Sequence, residues 1–325
     1  MRVIGVTEFS GPQALTVHEV PEPHAGPGEV RIAEKAAAVS PTDTNLVAGL
    51  YGSGELPPPH VPGMGAAGVI DEVGEPTPDL DTSGWHVGDE VMAIALPQRG
   101  HGGAYTEYLV ADADSLAHIP AGASLEQAST LPMNGLTAVQ ALDKLGLEPG
   151  QVLAVTGAAG TLGRYVIALA KQRGLTVIAE AADTDRDLVS AAGADHIVAR
   201  GDDVADRIRA IYPAGVDGLV DAAVQNELAL PAVRPGGRLA TVRGWGGVPG
   251  SDVRVEPVLV FDDYHRGDAL DALRRAVEDG GRRAHPARRR HPARRAGRRR
   301  PPPAGAGRHA RSTCADLLSH FVSAD

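Results

Sequence analysis

The chain has 325 residues, a length that favours two domains over one core. Its 43% apolar and 22% charged residues are ordinary for a soluble globular protein, and the single cysteine, Cys314, excludes a disulfide framework or a four-cysteine zinc site. No signal-peptide pattern and no run of about 18 apolar residues is present. We therefore expect a cytoplasmic protein without a membrane span. The net charge of −10 is uneven, because residues 1–281 carry −20 and residues 282–325 carry +10.

Short β-strands separated by turns dominate the pattern of the first 122 residues. Apolar or alternating runs at Val30–Val39, Ala66–Gly74, Asp89–Leu96 and Ala104–Val110 predict strands, and Gly- and Pro-rich turns separate them. This pattern predicts a small all-β barrel or partly open sheet over residues 1–122.

From Ser124 onward the pattern changes to alternating helices and strands. Ser124 is a candidate N-cap for a first helix, and strands rich in Val, Ile and Leu then alternate with helical segments. Repeated βαβ units of this kind indicate a parallel sheet covered by helices on both faces. We expect this second domain to span residues 123–262. A further helix at Ala269–Gly280, within residues 263–281, is expected to return toward the first domain.

A glycine-rich turn directly follows the first strand of the second domain and opens a helix. Gly157 permits the tight turn, Gly160 lets the backbone approach a pyrophosphate, and Gly163 lets helix and strand pack closely. The alternative is a loop that merely uses small residues, but the strand before and the helix after favour dinucleotide binding. The predicted cofactor-binding residues of this turn are Gly157, Ala158, Ala159, Gly160, Thr161, Leu162 and Gly163.

The choice between NADH and NADPH is usually made about 20 residues further along the chain. Ala181 and Ala182 stand where an NAD enzyme often has an acid, and Arg186 could pair with a 2′-phosphate. Glu180 and Asp183 argue the other way, since either could accept from a ribose hydroxyl or repel a phosphate. Arg186 could also be a surface arginine without a ligand. On balance the sequence predicts NADPH as cofactor.

Several motifs occur in a fixed order up to about residue 280. They are SPTDTNLVAGLY (40–51), HVPGMGAAGVIDEVG (60–74), WHVGDEVMA (85–93), GGAYTEYLV (102–110), LPMNGLTAVQAL (131–142), GAAGTLG (157–163) and VRPGGRLATV (233–242). Together they resemble the medium-chain dehydrogenase/reductase superfamily, in particular its zinc-free quinone oxidoreductase branch. The resemblance implies an α/β fold in which a GroES-like β-barrel domain is joined to a Rossmann doubly wound parallel sheet. It also implies a cleft for cofactor and substrate between the domains, and a homodimer.

The residues at the zinc positions of this superfamily set the expected chemistry. Zinc-dependent relatives use a cysteine and a downstream histidine or acid, and the matching positions here are Ser40 and Met64–Gly65, which are not ordinary zinc ligands. Alcohol oxidation without a Lewis acid is disfavoured. A quinone or an α,β-unsaturated carbonyl is already electrophilic at carbon and needs chiefly positioning and a polar group near its oxygen. The resemblance therefore implies an NADPH-dependent reductase of such small molecules.

The candidate catalytic residues follow from the same motifs. The resemblance places Asp43 and Tyr51 at the border of the nicotinamide and Thr137 against its ring, and Ser40 could donate a hydrogen bond. Each has a simpler interpretation as well. Asp43 could only cap its helix, and Tyr51 could be an ordinary loop aromatic.

Two other functions are weighed against the reductase. One is an NADP(H)-binding protein with little catalysis, either a sensor or a frame-shifted remnant. The other is nucleic-acid binding through the Arg-rich C-terminal segment, which we do not expect. A short-chain dehydrogenase is excluded, because no tyrosine has a lysine four residues later.

Residues 282–325 form an Arg- and Pro-rich segment unlike the rest of the chain. It could be a basic arm or a disordered tail, but we favour a reading-frame shift from about Arg282 with a disordered product. Codons can be chosen so that a neighbouring frame resembles the closing segment of the same superfamily. Determination of the genomic sequence around the codons for Gly280 to Ala284 tests this interpretation.

Overall fold

The computed structural model describes residues 1–52, 54 and 56–283, which form two domains of α/β architecture. The strands are β1 (Arg2–Gly5), β2 (Thr16–Glu19), β3 (Glu29–Ala37), β4 (Gly65–Val73), β5 (Glu90–Ile94), β6 (Tyr108–Asp112), β7 (Leu116–His118), β8 (Val152–Thr156), β9 (Thr176–Ala181), β10 (His196–Ala199), β11 (Val216–Asp221), β12 (Val233–Val242) and β13 (Arg254–Val258). The helices are α1 (Pro41–Val47), α2 (Leu125–Ser129), α3 (Leu131–Leu145), α4 (Thr161–Gln172), α5 (Arg186–Ala191), α6 (Val204–Ile211) and α7 (Gly267–Arg283).

Helix α7 ends just inside the segment that the sequence predicts to be frame-shifted and disordered. The remainder of that segment lies outside the described residues, so its interpretation stays a prediction. Within residues 1–52, 54 and 56–283, the helices fall short of the length and apolarity that a membrane span needs.

The first domain is an antiparallel five-stranded sheet in the order β6-β3-β4-β5-β7, beside the two-stranded sheet β1-β2. Alternate residues such as Val30 and Ile32 of β3 are fully buried in its core. The predicted strand at Ala104–Val110 is displaced, since β6 begins only at Tyr108. The preceding residues pair with β1 instead, through the bridge between Val3 and Thr106.

The second domain is a six-stranded parallel sheet in the order β10-β9-β8-β11-β12-β13. The chain runs outward from β8 to β10 on one side and from β11 to β13 on the other. The strand order therefore reverses between β8 and β11, where doubly wound sheets bind their ligands. Helices α3 and α4 pack on one face and α6 on the other. This confirms the predicted doubly wound sheet.

The helix predicted after Ser124 is divided into α2 and α3 around Thr130. Pro132, in the first turn of α3, has no amide hydrogen and therefore suits a helix start rather than a helix interior. Helix α3 is mostly buried and contacts both domains.

The segment after β13 returns the chain to the first domain. The side-chain amide of Gln140 on α3 pairs twice with the backbone of Leu259: its Oε1 accepts from the Leu259 amide at 2.8 Å, and its Nε2 donates to the Leu259 carbonyl at 3.2 Å. Helix α7 then packs against β7, and its first residue, Gly267, donates to the Asp114 carbonyl at 2.6 Å.

Candidate active site

A cavity of about 390 Å³ lies between the two domains at the carboxyl edge of the parallel sheet. It is walled by the start of α1, by α3, by the glycine-rich turn and by the segments that follow β11, β12 and β13. The predicted site residues that line this cavity are Ser40, Tyr51, Thr137, Gly157, Gly160, Thr161, Leu162 and Gly163. The structure therefore brings together the candidates of both domains.

The glycine-rich turn has the geometry that a dinucleotide diphosphate requires. Gly157 has a φ of +57°, and a Cβ atom on Gly163 would lie 2.5 Å from the Gly157 carbonyl oxygen and 2.6 Å from the Ala158 Cα. Gly160 is the N-cap residue of α4 and has no side chain that could accept a hydrogen bond from the first amides of the helix. These amides, beginning with Thr161, are therefore available to a ligand. These residues fit an anionic diphosphate.

Two residues of the predicted turn do not reach the cavity. Ala158 is completely buried, and its amide donates to the Glu180 carbonyl at 3.2 Å. Ala159 is half-buried and is not part of the cavity wall. Their contribution is the shape of the turn.

Glu180 is turned inward at the end of β9 and is only 2% exposed. Its carboxylate accepts from the Gly157 amide and from Gln225 Nε2, both at 2.9 Å, and from the Gly201 amide at 3.4 Å. Because both oxygens are engaged, this acid holds the glycine-rich turn. Its partners are distant in the chain, which is why the sequence left it open as a ribose acceptor.

Arg186 begins α5, just after β9, and does not line the cavity. Its side chain is 49% exposed, and its nearest acid is Asp183, at 3.9 Å from Nη1 to Oδ1. A second arginine, Arg200, follows the neighbouring strand β10 and donates its amide to the Ala181 carbonyl at 3.1 Å. Arg200 is exposed and was missed from the sequence, because only the pairing of β9 with β10 places it there.

Asp43, which the sequence predicts to be a catalytic residue, does not line the cavity. Its carboxylate is 5% exposed and accepts from the Ser40 amide at 2.7 Å, the Gly63 amide at 2.9 Å and the Tyr105 hydroxyl at 3.2 Å. Burial raises the pKa of Asp43, and these hydrogen bonds oppose that shift. With its oxygens already engaged, Asp43 is a positioning residue that holds Ser40 at the start of α1.

Tyr51 and Thr137 lie in the cavity wall with different capacities as donors. The Tyr51 hydroxyl accepts from Asn45 Nδ2 at 3.2 Å, so its own hydrogen is available. The Thr137 hydroxyl donates to the Met133 carbonyl at 2.7 Å. Thr137 therefore offers the cavity an acceptor and a methyl group.

The loop after β11 is held in an unusual conformation. Asp221 is completely buried and accepts from the Thr156 hydroxyl at 2.6 Å and the Asn226 amide at 2.7 Å. Between these anchors, Val224 lines the cavity with a φ of 58°, which is rare for a β-branched residue. No sequence motif marks this residue, nor Arg243 in the corresponding loop after β12.

The positions that carry zinc ligands in zinc-dependent relatives have other side chains here. Ser40 and Met64 both line the cavity, and Gly65 begins β4. In the described part of the chain, no three His, Cys, Asp or Glu side chains are grouped so as to hold a metal ion.

Comparison with known proteins agrees with this architecture. The family model for the alcohol dehydrogenase GroES-like domain matches residues 26–121, and the model for the zinc-binding dehydrogenase matches residues 161–263. An alcohol dehydrogenase of Geobacillus stearothermophilus is 31% identical over 292 residues, which cover 82% of each chain. The NADPH-dependent alkenal/one oxidoreductase of Arabidopsis thaliana chloroplasts is 28% identical, over 84% of this chain and 68% of its own.

Among solved structures, the quinone oxidoreductase from Coxiella burnetii superposes with a TM-score of 0.70 and 26% identity, over 86% of this chain and 88% of its own. The matches confirm the GroES-like domain and the Rossmann sheet that the motifs predicted. The chain belongs to the medium-chain dehydrogenase/reductase superfamily and is a nicotinamide-nucleotide-dependent oxidoreductase of the quinone oxidoreductase type.

Proposed function

We propose that this protein is a reductase that uses NADPH to reduce a quinone or an α,β-unsaturated carbonyl compound without zinc. The observation that carries the proposal is the cavity wall, which combines a diphosphate-binding turn with neutral hydrogen-bond donors and no set of metal ligands. Bound NADPH supplies a hydride, which the substrate accepts at its electrophilic carbon. A proton from solvent then completes the two-electron reduction, leaving NADP⁺.

The chain's own residues supply positioning and electrostatic stabilisation. The amides at the start of α4 would hold the diphosphate of a bound cofactor, and Thr137 and Leu162, which line the cavity, would lie beside it. Negative charge develops on the substrate oxygen during the reaction, and hydroxyl donors from Ser40 and Tyr51 stabilise it. The printed names of relatives support the substrate class, since they include quinone and alkenal/one oxidoreductases.

The side chains at the zinc positions do not favour zinc chemistry. Ser40 and Met64 offer a hydroxyl and a thioether where zinc would need a thiolate and an imidazole or carboxylate. Hydride addition to a conjugated system does not require a Lewis acid, whereas oxidation of a simple alcohol is helped strongly by one.

NADPH is proposed over NADH because of the groups around the end of β9. The buried carboxylate of Glu180 is engaged by three donors and is not open to ribose hydroxyls. Arg186 and Arg200 flank the same strand end, and Arg200 has no ion pair to any described residue. The name of the plant alkenal/one oxidoreductase, which includes NADPH, also supports this assignment.

Arg186→Ala and Arg200→Ala are each expected to raise the KM for NADPH by about tenfold or more, the usual effect of losing a charged hydrogen bond. The KM for NADH should stay unchanged in both variants. Arg173→Ala is the control, because its guanidinium pairs with Asp143 at 2.7 Å at the end of α4 remote from the glycine-rich turn. A wild-type enzyme that uses NADH as well as NADPH would contradict the cofactor assignment.

Ser40→Ala and Tyr51→Phe are each expected to lower kcat/KM about 10- to 100-fold with quinones and enones, because each removes a donor to the developing oxyanion. The dissociation constant of NADPH should not change. Loss of NADPH absorbance measures the rate, and Tyr212→Phe, outside the cavity, is the control. Tight NADPH binding without turnover of any quinone or enone would instead indicate a nucleotide-binding protein with little catalysis.

A further inference from the structure

Arg243 follows β12 and lines the cavity between the domains. We propose that its guanidinium binds an anionic group of the substrate, so that the enzyme prefers electrophiles bearing a carboxylate or a phosphate. This inference rests on the proposed reductase function and narrows its substrate class.

The backbone conformation at Arg243 supports this inference first. Its φ is 70°, and that of Gly244 is 78°, so two successive residues are left-handed. The buried Thr241 hydroxyl donates to the Trp245 carbonyl at 2.8 Å and closes the turn around them. Such turns favour Asn and Gly. A glycine would adopt this conformation without steric strain, so the geometry of the turn does not explain why this position is an arginine.

The charge environment of Arg243 supports the same inference. Arg243 is the one charged side chain among the described residues that line the cavity. Its guanidinium makes no ion pair or hydrogen bond to any described residue, although residues 1–281 carry a net charge of −20. Arg243 is also exposed, so an anion that enters the cavity from solvent can reach its unpaired guanidinium.

The position of Arg243 relative to the parallel sheet also supports the inference. The glycine-rich turn follows β8, and β11 separates β8 from β12. Neighbouring strands lie about 4.8 Å apart, so the end of β12 is about 10 Å from that turn. Arg186 and Arg200 lie on the opposite side, at β9 and β10, where the adenine half is expected. The reactive half of a bound cofactor would then lie toward β11 and β12, on the side of the cavity where Arg243 stands.

Matched pairs of electrophiles test the inference. For the carboxylate, (E)-4-oxopent-2-enoate is compared with 3-penten-2-one, in which a methyl group replaces the carboxylate. For the phosphate, crotonyl-coenzyme A is compared with the crotonyl thioester of N-acetylcysteamine. Arg243→Gly is expected to lower kcat/KM at least tenfold for the anionic member of one pair, and the change should appear in KM. The kcat/KM of both neutral members should stay within twofold of the wild-type value. Arg243→Lys should restore part of the loss.

Arg243→Gly is expected to fold, since glycine suits the turn. The control is Arg99→Gln, because Arg99 is an exposed arginine that does not line this cavity. Binding of the product 4-oxopentanoate to the NADP⁺ complex, measured by calorimetry, adds a readout independent of turnover. The affinity for this anion should fall in Arg243→Gly.

Two results would overturn the inference. In one, Arg243→Gly leaves the ratio of anionic to neutral kcat/KM unchanged in both pairs. In the other, it raises the dissociation constant of NADPH instead, which would assign the guanidinium to the cofactor diphosphate. Failure of the proposed function is distinguishable, because the wild type would then reduce neither the neutral nor the anionic electrophiles.

Discussion

Gly163→Ala is expected to weaken NADPH binding by more than about tenfold and to lower the free energy of unfolding by about 1–3 kcal/mol. A Cβ atom at this position would lie 2.5 Å from the Gly157 carbonyl oxygen and 2.6 Å from the Ala158 Cα. Both are backbone atoms that cannot move aside independently. The start of α4 would be displaced away from β8, and its amides would no longer point toward the diphosphate. Calorimetric titration with NADPH and denaturant unfolding measure the two effects.

Gly84→Ala is the matched control, because no heavy atom lies within 4 Å of the Cβ it would add and its φ is not positive. This variant should bind NADPH and unfold like the wild type. If Gly163→Ala also bound NADPH with unchanged affinity, the assignment of the diphosphate to this turn would be wrong.

Glu34→Gln is expected to stabilise the protein near pH 8, because it removes the cost of ionising a carboxyl group that is shielded from solvent. Glu34 lies on β3 and is half-buried as a residue, but its Oε2 is sealed from solvent and has no hydrogen-bond partner among the described residues. Burial raises the pKa of the Glu34 carboxyl well above its ordinary value of 4.5. Glutamine removes the ionisation at nearly the same volume.

The raised pKa of Glu34 makes the free energy of unfolding depend on pH. The folded state holds the Glu34 proton more tightly than the unfolded chain, so the wild type keeps the full contribution of this group below pH 4.5. It loses that contribution as the pH rises through the raised folded pKa. The advantage of Glu34→Gln should therefore grow from pH 5 to pH 8 in denaturant unfolding. Glu8→Gln, at an exposed position, is the control, and a gain independent of pH would contradict the explanation.

Features fixed by neighbouring residues could be predicted from the sequence. The glycine-rich turn is an example, because Gly157 and Gly163 constrain a single strand, turn and helix. The order of strands and helices in the second domain could be predicted for the same reason, since apolar strand segments and amphipathic helix segments are visible in short stretches of sequence. The bounds of β6 were less predictable, because the residues just before Tyr108 pair with β1, which lies about 100 residues earlier in the chain.

Features fixed by distant partners could not be predicted. Asp43 is held by Gly63 and Tyr105, which lie 20 and 62 residues away. The motif indicated a residue near the site, but it could not show that both carboxylate oxygens are engaged. Likewise, Arg243 follows an unremarkable strand, and only its φ and its lack of a partner set it apart.

The pairing of Gln140 with Leu259 has a consequence for the wall of the cavity. The side-chain amide occupies both hydrogen-bonding positions that an adjacent strand would take, so α3 and the chain leaving β13 are fastened together. Thr137 lies one turn earlier on the same helix, and Val260 and Phe261 directly follow Leu259, so this pairing ties together two segments of one cavity wall. Ser40 and Tyr51 reach the cavity from the first domain and are not held by it.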